Sequence, residues 1–141
     1  MRHSVFTFEV ATQNHFDLID VTDEVLKWCE KEKFLDGHML IQSAHTTTAI
    51  RINESCDELK KDLTLLLEKL VPQKGNYFHN HSAVDGRNNA HSHLVSYLMG
   101  ASEGVVVQKG KPLLGSWQRI FFVELDGPRK RRQIIFSFIG S

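Results

Sequence analysis

Half of the chain's eight histidines, His79, His81, His91 and His93, fall within Tyr77–Leu94, together with Asp85 and Asn80, Asn88 and Asn89. Histidine is the commonest metal ligand and the one side chain that titrates near neutrality unaided, so such a cluster points to a metal site or an acid–base centre. Spacing decides which rings converge. An extended Tyr77–His81 puts Tyr77, His79 and His81 on one face. A helix over Asn89–Met99 puts Asn89, His93 and Tyr97 on one stripe and sends His91 elsewhere, so His93 is the expected member of a site. The plainer reading is a solvated polar loop. No H-E-x-x-H or zinc-finger spacing occurs, and the metal expectation rests on clustering.

A second candidate is His45–Glu54, HTTTAIRINE, read as a strand of strict alternation. One face carries Thr46, Thr48, Ile50 and Ile52; the other carries His45, Thr47, Arg51 and Asn53, with about 7 Å between alternate residues. The alternative is a wet sheet face. A third is the basic run Arg129-Lys130-Arg131-Arg132 after the turn Asp126-Gly127-Pro128. Arg129, on the turn, is free to fork onto a phosphate, and the others read as solvated.

The elements that must position these residues follow from periodicity. His3–Val10 is a first strand, with Ala11–Asp20 turning or pairing back on it. Thr22 is placed to cap a helix whose apolar stripe is Val25, Trp28 and Cys29, ending by Gly37. His38–Ala44 reads as a buried strand. Ser55 and Glu58 form a capping box before a helix with Leu59, Leu63, Leu66, Leu67 and Leu70 as its core face, up to Pro72. A short helix, Asn89–Met99, closes at Gly100. Gly104–Gln108 and Pro112–Leu114 make a hairpin about Lys109-Gly110-Lys111. Trp117–Leu125 is apolar on both faces, as a central strand or a subunit interface is, and Gln133–Ile139 is the final strand. The expectation is a single α+β domain over 1–141 with a mixed, largely antiparallel sheet, two long helices and one short helix.

A chain of 141 residues buries enough surface to fold without disulfide or structural metal. Seventeen basic and seventeen acidic residues cancel, which argues against a nucleic-acid partner that needs a broad positive field. No apolar run spans a membrane, and MRHSVFTFEV alternates like a strand, so no membrane partner and a cytoplasmic location are expected, with Cys29 and Cys56 as free thiols.

Together, His45-Thr46-Thr47-Thr48-Ala49 with Ile52-Asn53-Glu54, Asp62-Leu63, Val71-Pro72, Tyr77–Asn80, Asn89-Ala90 with His93-Leu94, Gly100, Gly115–Gln118 (GSWQ) and Glu124–Arg129 (ELDGPR) resemble the YjbQ-like family, some of whose members are described as secondary thiamine-phosphate synthases. The resemblance implies that family's fold for the entire chain and a homotrimer with sites at or near subunit boundaries. It implies His45, His79, His93 and Glu54 as catalytic residues, with Asn53, Asn89, Gln118 and Arg129 binding a small phosphorylated molecule. The same three histidines are the expected ligands of a divalent metal: zinc or another transition metal, or magnesium for a synthase. Val106, Ser116 and the segment Asp85-Gly86-Arg87-Asn88 with His91 depart from the family's usual residues. The implied reaction condenses an aminopyrimidine diphosphate with a thiazole phosphate and expels pyrophosphate. Metal-dependent hydrolysis of a small phosphorylated or carbonyl substrate, and a non-catalytic metal- or ligand-binding trimer, are the alternatives.

Overall fold

A computed structural model describes residues 1–141. Eight strands form two antiparallel sheets. Five strands, β1 (Arg2–Thr12), β8 (Arg129–Gly140), β3 (Gly37–Ser43), β5 (Ser102–Gln108) and β6 (Lys111–Pro112), lie side by side in that order. The second sheet runs β2 (Asp17–Asp20), β7 (Gln118–Glu124), β4 (Thr48–Glu54). The helices are α1 (Thr22–Glu32), α2 (Asp57–Leu70), α3 (Phe78–Ser82) and α4 (Ala90–Met99). The α+β class and antiparallel pairing are as expected, but the strands divide into two sheets, and α3 is an additional short helix.

β7 explains the layering. Ile120 and Phe122 face the main core, which joins Met39, Ile41, Phe136 and Phe138 of the first sheet to Val25 and Trp28 of α1. Phe121 and Val123 point the other way, into a smaller core with Ala49, Val95 and Leu125 that Leu67 and Met99 also touch. A strand with apolar groups on both faces is therefore buried on both faces inside one protomer, and it is no longer a reason to expect a subunit interface. The last pleats of β7 turn polar inside the core: Glu124 is completely buried.

Several local expectations change for identifiable reasons. β2 pairs with β7 rather than folding back on β1. Thr22 does not cap α1, because its hydroxyl accepts the Ile120 N–H at 2.8 Å; Val21 takes the cap position and Asp20 Oδ1 accepts the Thr22 N–H at 2.9 Å. The Ser55/Glu58 box does not form either. α2 begins one residue later, with Cys56 Sγ accepting the Leu59 N–H at 3.4 Å. No residue of α2 is buried, and Leu59, Leu65, Leu66 and Leu70 are exposed, so its leucines are not the core expected of them. The hairpin between β5 and β6 turns at Lys109 and Gly110, both with positive φ (51° and 80°), the backbone of a tight two-residue turn.

Candidate active site

Residues 44–47 are irregular rather than strand, and this bend presents the first candidate. The Gln133 N–H donates to His45 Nε2 at 2.7 Å. The neutral ring must then carry its proton on Nδ1, which makes Nδ1–H the free donor of this imidazole. Beneath the bend lies a buried ion pair. Arg132 donates from Nη2 to Glu124 Oε2 at 2.6 Å and to Thr47 Oγ1 at 3.0 Å, while Thr12 Oγ1 donates to Glu124 Oε1 at 2.6 Å. Arg132 is therefore not the solvated charge that a basic run suggests; it is 4% exposed. Thr48, Ala49 and Ile50 are buried on both faces, so the start of β4 has no wet face, and only its far half, at Arg51, Asn53 and Glu54, is exposed. His45 lies in the bend, and Arg51 turns away to Glu103 at 2.7 Å.

The histidine-rich segment supplies the other wall. Phe78–Ser82 is helical, not extended, and Asn80 Oδ1 accepts the Ala90 N–H at 3.0 Å, tying α3 to the start of α4. A polar chain then runs from the ELDGPR turn. Asn89 Nδ2 donates to Asp126 Oδ2 at 2.8 Å, which leaves Asn89 Oδ1 to accept from His79 Nε2 at 3.2 Å. The network assigns the His79 proton to Nε2. His79 in turn meets His93 edge to face, ring centroids 4.7 Å apart. The Asn89 oxygen and one of its two Nδ2–H groups are thus engaged in orienting His79, and the second Nδ2–H is left over, with Asn89 lining the polar hollow.

His93 lines three neighbouring hollows. A polar one of about 300 Å³ is lined by His45, Thr47, Asp85, Arg129 and Arg132. One of about 410 Å³ reaches Ser96 and Tyr97, and one of about 530 Å³ runs past Phe78 and His79. Burial, then the neighbouring His79, push the His93 pKa below its usual 6.5, against the pull of Asp126. His45 is likewise pushed down, by burial and then by Arg132. Both imidazoles are therefore biased toward the neutral form, one as a fixed donor and the other beside it as a base.

Arg129 is held, not free. Its Nη2 donates to Asp126 Oδ2 at 2.8 Å and its Nε to the Asp126 carbonyl at 3.0 Å. Arg87 reaches the same carboxylate at 3.5 Å. Arg87, Arg129 and Arg132 face Asp85, Asp126 and Glu124, so the formal charges around the polar hollow cancel. An anion there would be held by directed N–H groups rather than by a net positive field.

Three expected site residues lie elsewhere in the chain. Asn53, Glu54 and Gln118 sit at the opposite end of β4 and β7, where Glu54 pairs with Gln118, six residues or about 20 Å of strand from Thr48. Asn53 Oδ1 accepts the Glu54 N–H at 2.7 Å, and Gln118 Oε1 closes the GSWQ turn by accepting the Gly115 N–H at 2.8 Å. Within one protomer, Glu54 does not reach the histidines. The metal expectation meets a similar obstacle. No three His, Cys, Asp or Glu side chains stand together at ligating spacing, and the Nε2 atoms of His45 and His79 are already taken by Gln133 and Asn89. His45 and His93 line one hollow and His79 meets His93 from another, but the three do not fit an ion-binding triad. His81 bonds only to Asn76, at 3.2 Å.

Sequence reasoning missed Glu124, Asp126 and Arg132. The available signal was a carboxylate ending the apolar run Ile120–Val123, since a charge carried into a buried strand requires a partner.

The sequence pattern of the family described as UPF0047 protein YjbQ-like matches residues 6–141. A UPF0047 protein of Methanocaldococcus jannaschii is 37% identical over 137 residues, covering 96% of this chain and 94% of that protein. One from Archaeoglobus fulgidus is 44% identical over 126 residues, covering 89% and 94%. Among solved structures, a YbjQ-like protein of unknown function from Sulfolobus solfataricus superposes with a TM-score of 0.93 at 36% identity, covering 99% of each chain. A hypothetical protein from Aeropyrum pernix gives 0.87 at 34%, covering both chains fully. The motifs that build the cleft, the superposable fold and the full-length match agree: this chain belongs to the YjbQ-like UPF0047 family.

Proposed function

We propose that the His45–His93 cleft binds a small phosphorylated molecule and acts on it by acid–base and electrostatic catalysis, as a synthase that condenses an aminopyrimidine diphosphate with a thiazole phosphate. The observation that carries this reading is the pairing of a Nδ1–H donor fixed by a main-chain bond with a neutral imidazole that lines both a polar hollow and an aromatic-edged one. In that reaction the thiazole nitrogen bonds to the pyrimidine methylene carbon as the carbon–oxygen bond to pyrophosphate breaks. His45 Nδ1–H and the outward edge of the Arg129 guanidinium would hold the departing phosphates, and the His93 lone pair would lie beside the cationic pyrimidine. Asp126, Asn89 and His79 fix the orientation of this wall. No step is assigned to a metal ion, because the side chains do not fit one, and this places metal-dependent hydrolysis behind the synthase reading.

A homotrimer is part of the same proposal. Its support is now α2, whose Leu65 and Leu70 are 64% and 61% exposed, and the cleft lip, where Phe78 is 95% exposed. Apolar surface of this kind calls for a partner. The test is pyrophosphate release in the presence of both precursors. Release that needs both and disappears in His93→Gln supports the synthase; ligand binding with no turnover assigns the chain a binding role instead.

A further inference from the structure

The helix α2 is a loosely seated roof. None of its residues is buried, and the one hydrogen bond that ties it to another element is the Lys60 ammonium donating to Asp17 Oδ1 on β2, at 2.6 Å. Its C-terminal half rests on the smaller core through Leu67, with Val71 just beyond it. Its N-terminal half stands off the smaller sheet and encloses a hollow of about 300 Å³. Leu59 and Leu63 form the helix side, Leu18, Phe121 and Val123 the sheet side, and Met99 of α4 closes one end. Protein interiors leave few voids larger than a water molecule, so an apolar space of this size within one protomer is suited to a guest. Apolar walls offer water no partners and favour an apolar guest instead. The hollow shares no lining residue with the three around His93.

The rim specifies the head group of that guest. Arg51, on β4, commits only Nη1, which donates to the Met99 carbonyl at 3.1 Å and meets Glu103 at 2.7 Å. Its Nε–H and Nη2–H groups have no partner, and they are the parallel pair that grips a carboxylate. Glu54 lines the same rim, so a guest carrying a second negative charge would be repelled. We propose that the hollow beneath α2 binds a medium-chain monocarboxylate, its head on the free edge of Arg51 and its alkyl chain under Leu59 and Leu63. A water occupies about 30 Å³ and a methylene roughly as much, so the space holds about ten carbons. The chain has a defined course. β7 lies between β4 and β2, so a tail starting at Arg51 crosses two strand spacings of about 4.8 Å each to reach Leu18. There the Lys60–Asp17 pair holds the helix down over its end. The site is independent of the cleft and of the reaction proposed for it.

The test is calorimetric titration of the full chain with butyrate, hexanoate, octanoate and octylamine. The expected result is one octanoate per chain, with each methylene added from butyrate upward tightening binding about fourfold, the worth of one buried methylene. Arg51→Lys should weaken octanoate binding by about tenfold or more, because lysine keeps the charge and lacks the fork. Leu63→Trp fills the hollow from its helix side and should abolish binding. Leu66→Trp, on the exposed side of α2, should leave it unchanged. Thermal midpoints show that both tryptophan variants fold; should Leu63→Trp not fold, Arg51→Lys and the chain-length series decide the matter. No octanoate binding at millimolar concentration overturns the proposal. So does octylamine binding as tightly as octanoate, or an Arg51→Lys variant that binds octanoate as the parent does, since either removes the carboxylate from Arg51. Binding lost in Leu66→Trp and kept in Leu63→Trp also overturns it, by moving the guest to the outer face of the helix.

Discussion

Replacing Arg132 with leucine removes one half of an ion pair whose side chains are 4% and 0% exposed. Glu124 would keep its bonds from Thr12 Oγ1 and the Leu125 N–H, at 2.6 and 3.1 Å, but lose three contacts with the guanidinium. An uncompensated buried carboxylate costs about 3–5 kcal/mol. In a chain of this size that lowers the thermal midpoint by about 10–20 °C. The damage extends beyond stability, because Arg132 also holds Thr47, two residues from His45, and the His45 ring depends on the neighbouring Gln133 N–H. Urea unfolding of the parent, Arg132→Leu, Glu124→Leu and the double variant gives the cycle. The double variant should be less destabilised than the sum of the single ones by about 1–3 kcal/mol. A loss below about 1 kcal/mol for Arg132→Leu is the behaviour of a surface pair, and it would refute the view that this pair holds the bend in place.

Four further expectations follow. His93→Gln should abolish turnover of any substrate of the cleft yet leave the urea midpoint nearly unchanged, because its ring lines a hollow and does not fill the core. Arg129→Lys should weaken binding of phosphate or pyrophosphate by about 10- to 150-fold in calorimetry, because lysine lacks the fork that can grip Asp126 and an anion together; equal affinity would make Arg129 a bracing residue only. Acidification should destabilise the fold below about pH 6.5, since His45, His91 and His93 titrate below their unfolded value of 6.5, chiefly through burial. That contribution is fully present above pH 6.5 and is lost as pH falls through the lower folded values, where the unfolded chain binds more protons; a midpoint that rises between pH 7.5 and 5 would contradict it. Light scattering should return three times the chain mass of 16.2 kDa, and a monomer at micromolar concentration would rule the trimer out.

What was legible in the sequence was whatever is set locally. Val25, Trp28 and Cys29 form the buried stripe of α1, Lys109-Gly110 makes the hairpin turn, and the two-residue spacing of His91 and His93 sends them to different cavities. What was not legible depends on partners far along the chain. The Thr22 hydroxyl was taken by Ile120 and so could not cap a helix. The α2 leucines have an ideal amphipathic spacing, yet spacing states only that a face is apolar, not that the same chain covers it. The apparent solvation of Arg132 failed for the complementary reason. A charge run looks like surface until a carboxylate such as Glu124 is found in the strand opposite.

The position of β8 between β1 and β3 governs how the chain must assemble. β1 and β3 never pair with one another; each pairs with Arg129–Gly140, which lies more than 80 residues from either. A nascent or truncated chain without that strand has two open, apolar-backed edges and leaves Glu124 without Arg132. Closure of the larger sheet is therefore a late, long-loop event, of the kind that puts folding in the range of milliseconds to seconds and not microseconds. During that interval the edges awaiting β8 are open to the same strand from another molecule. At high expression the expected failure is exchange of β8 between chains, visible as a dimer that persists on dilution and dissociates only on unfolding.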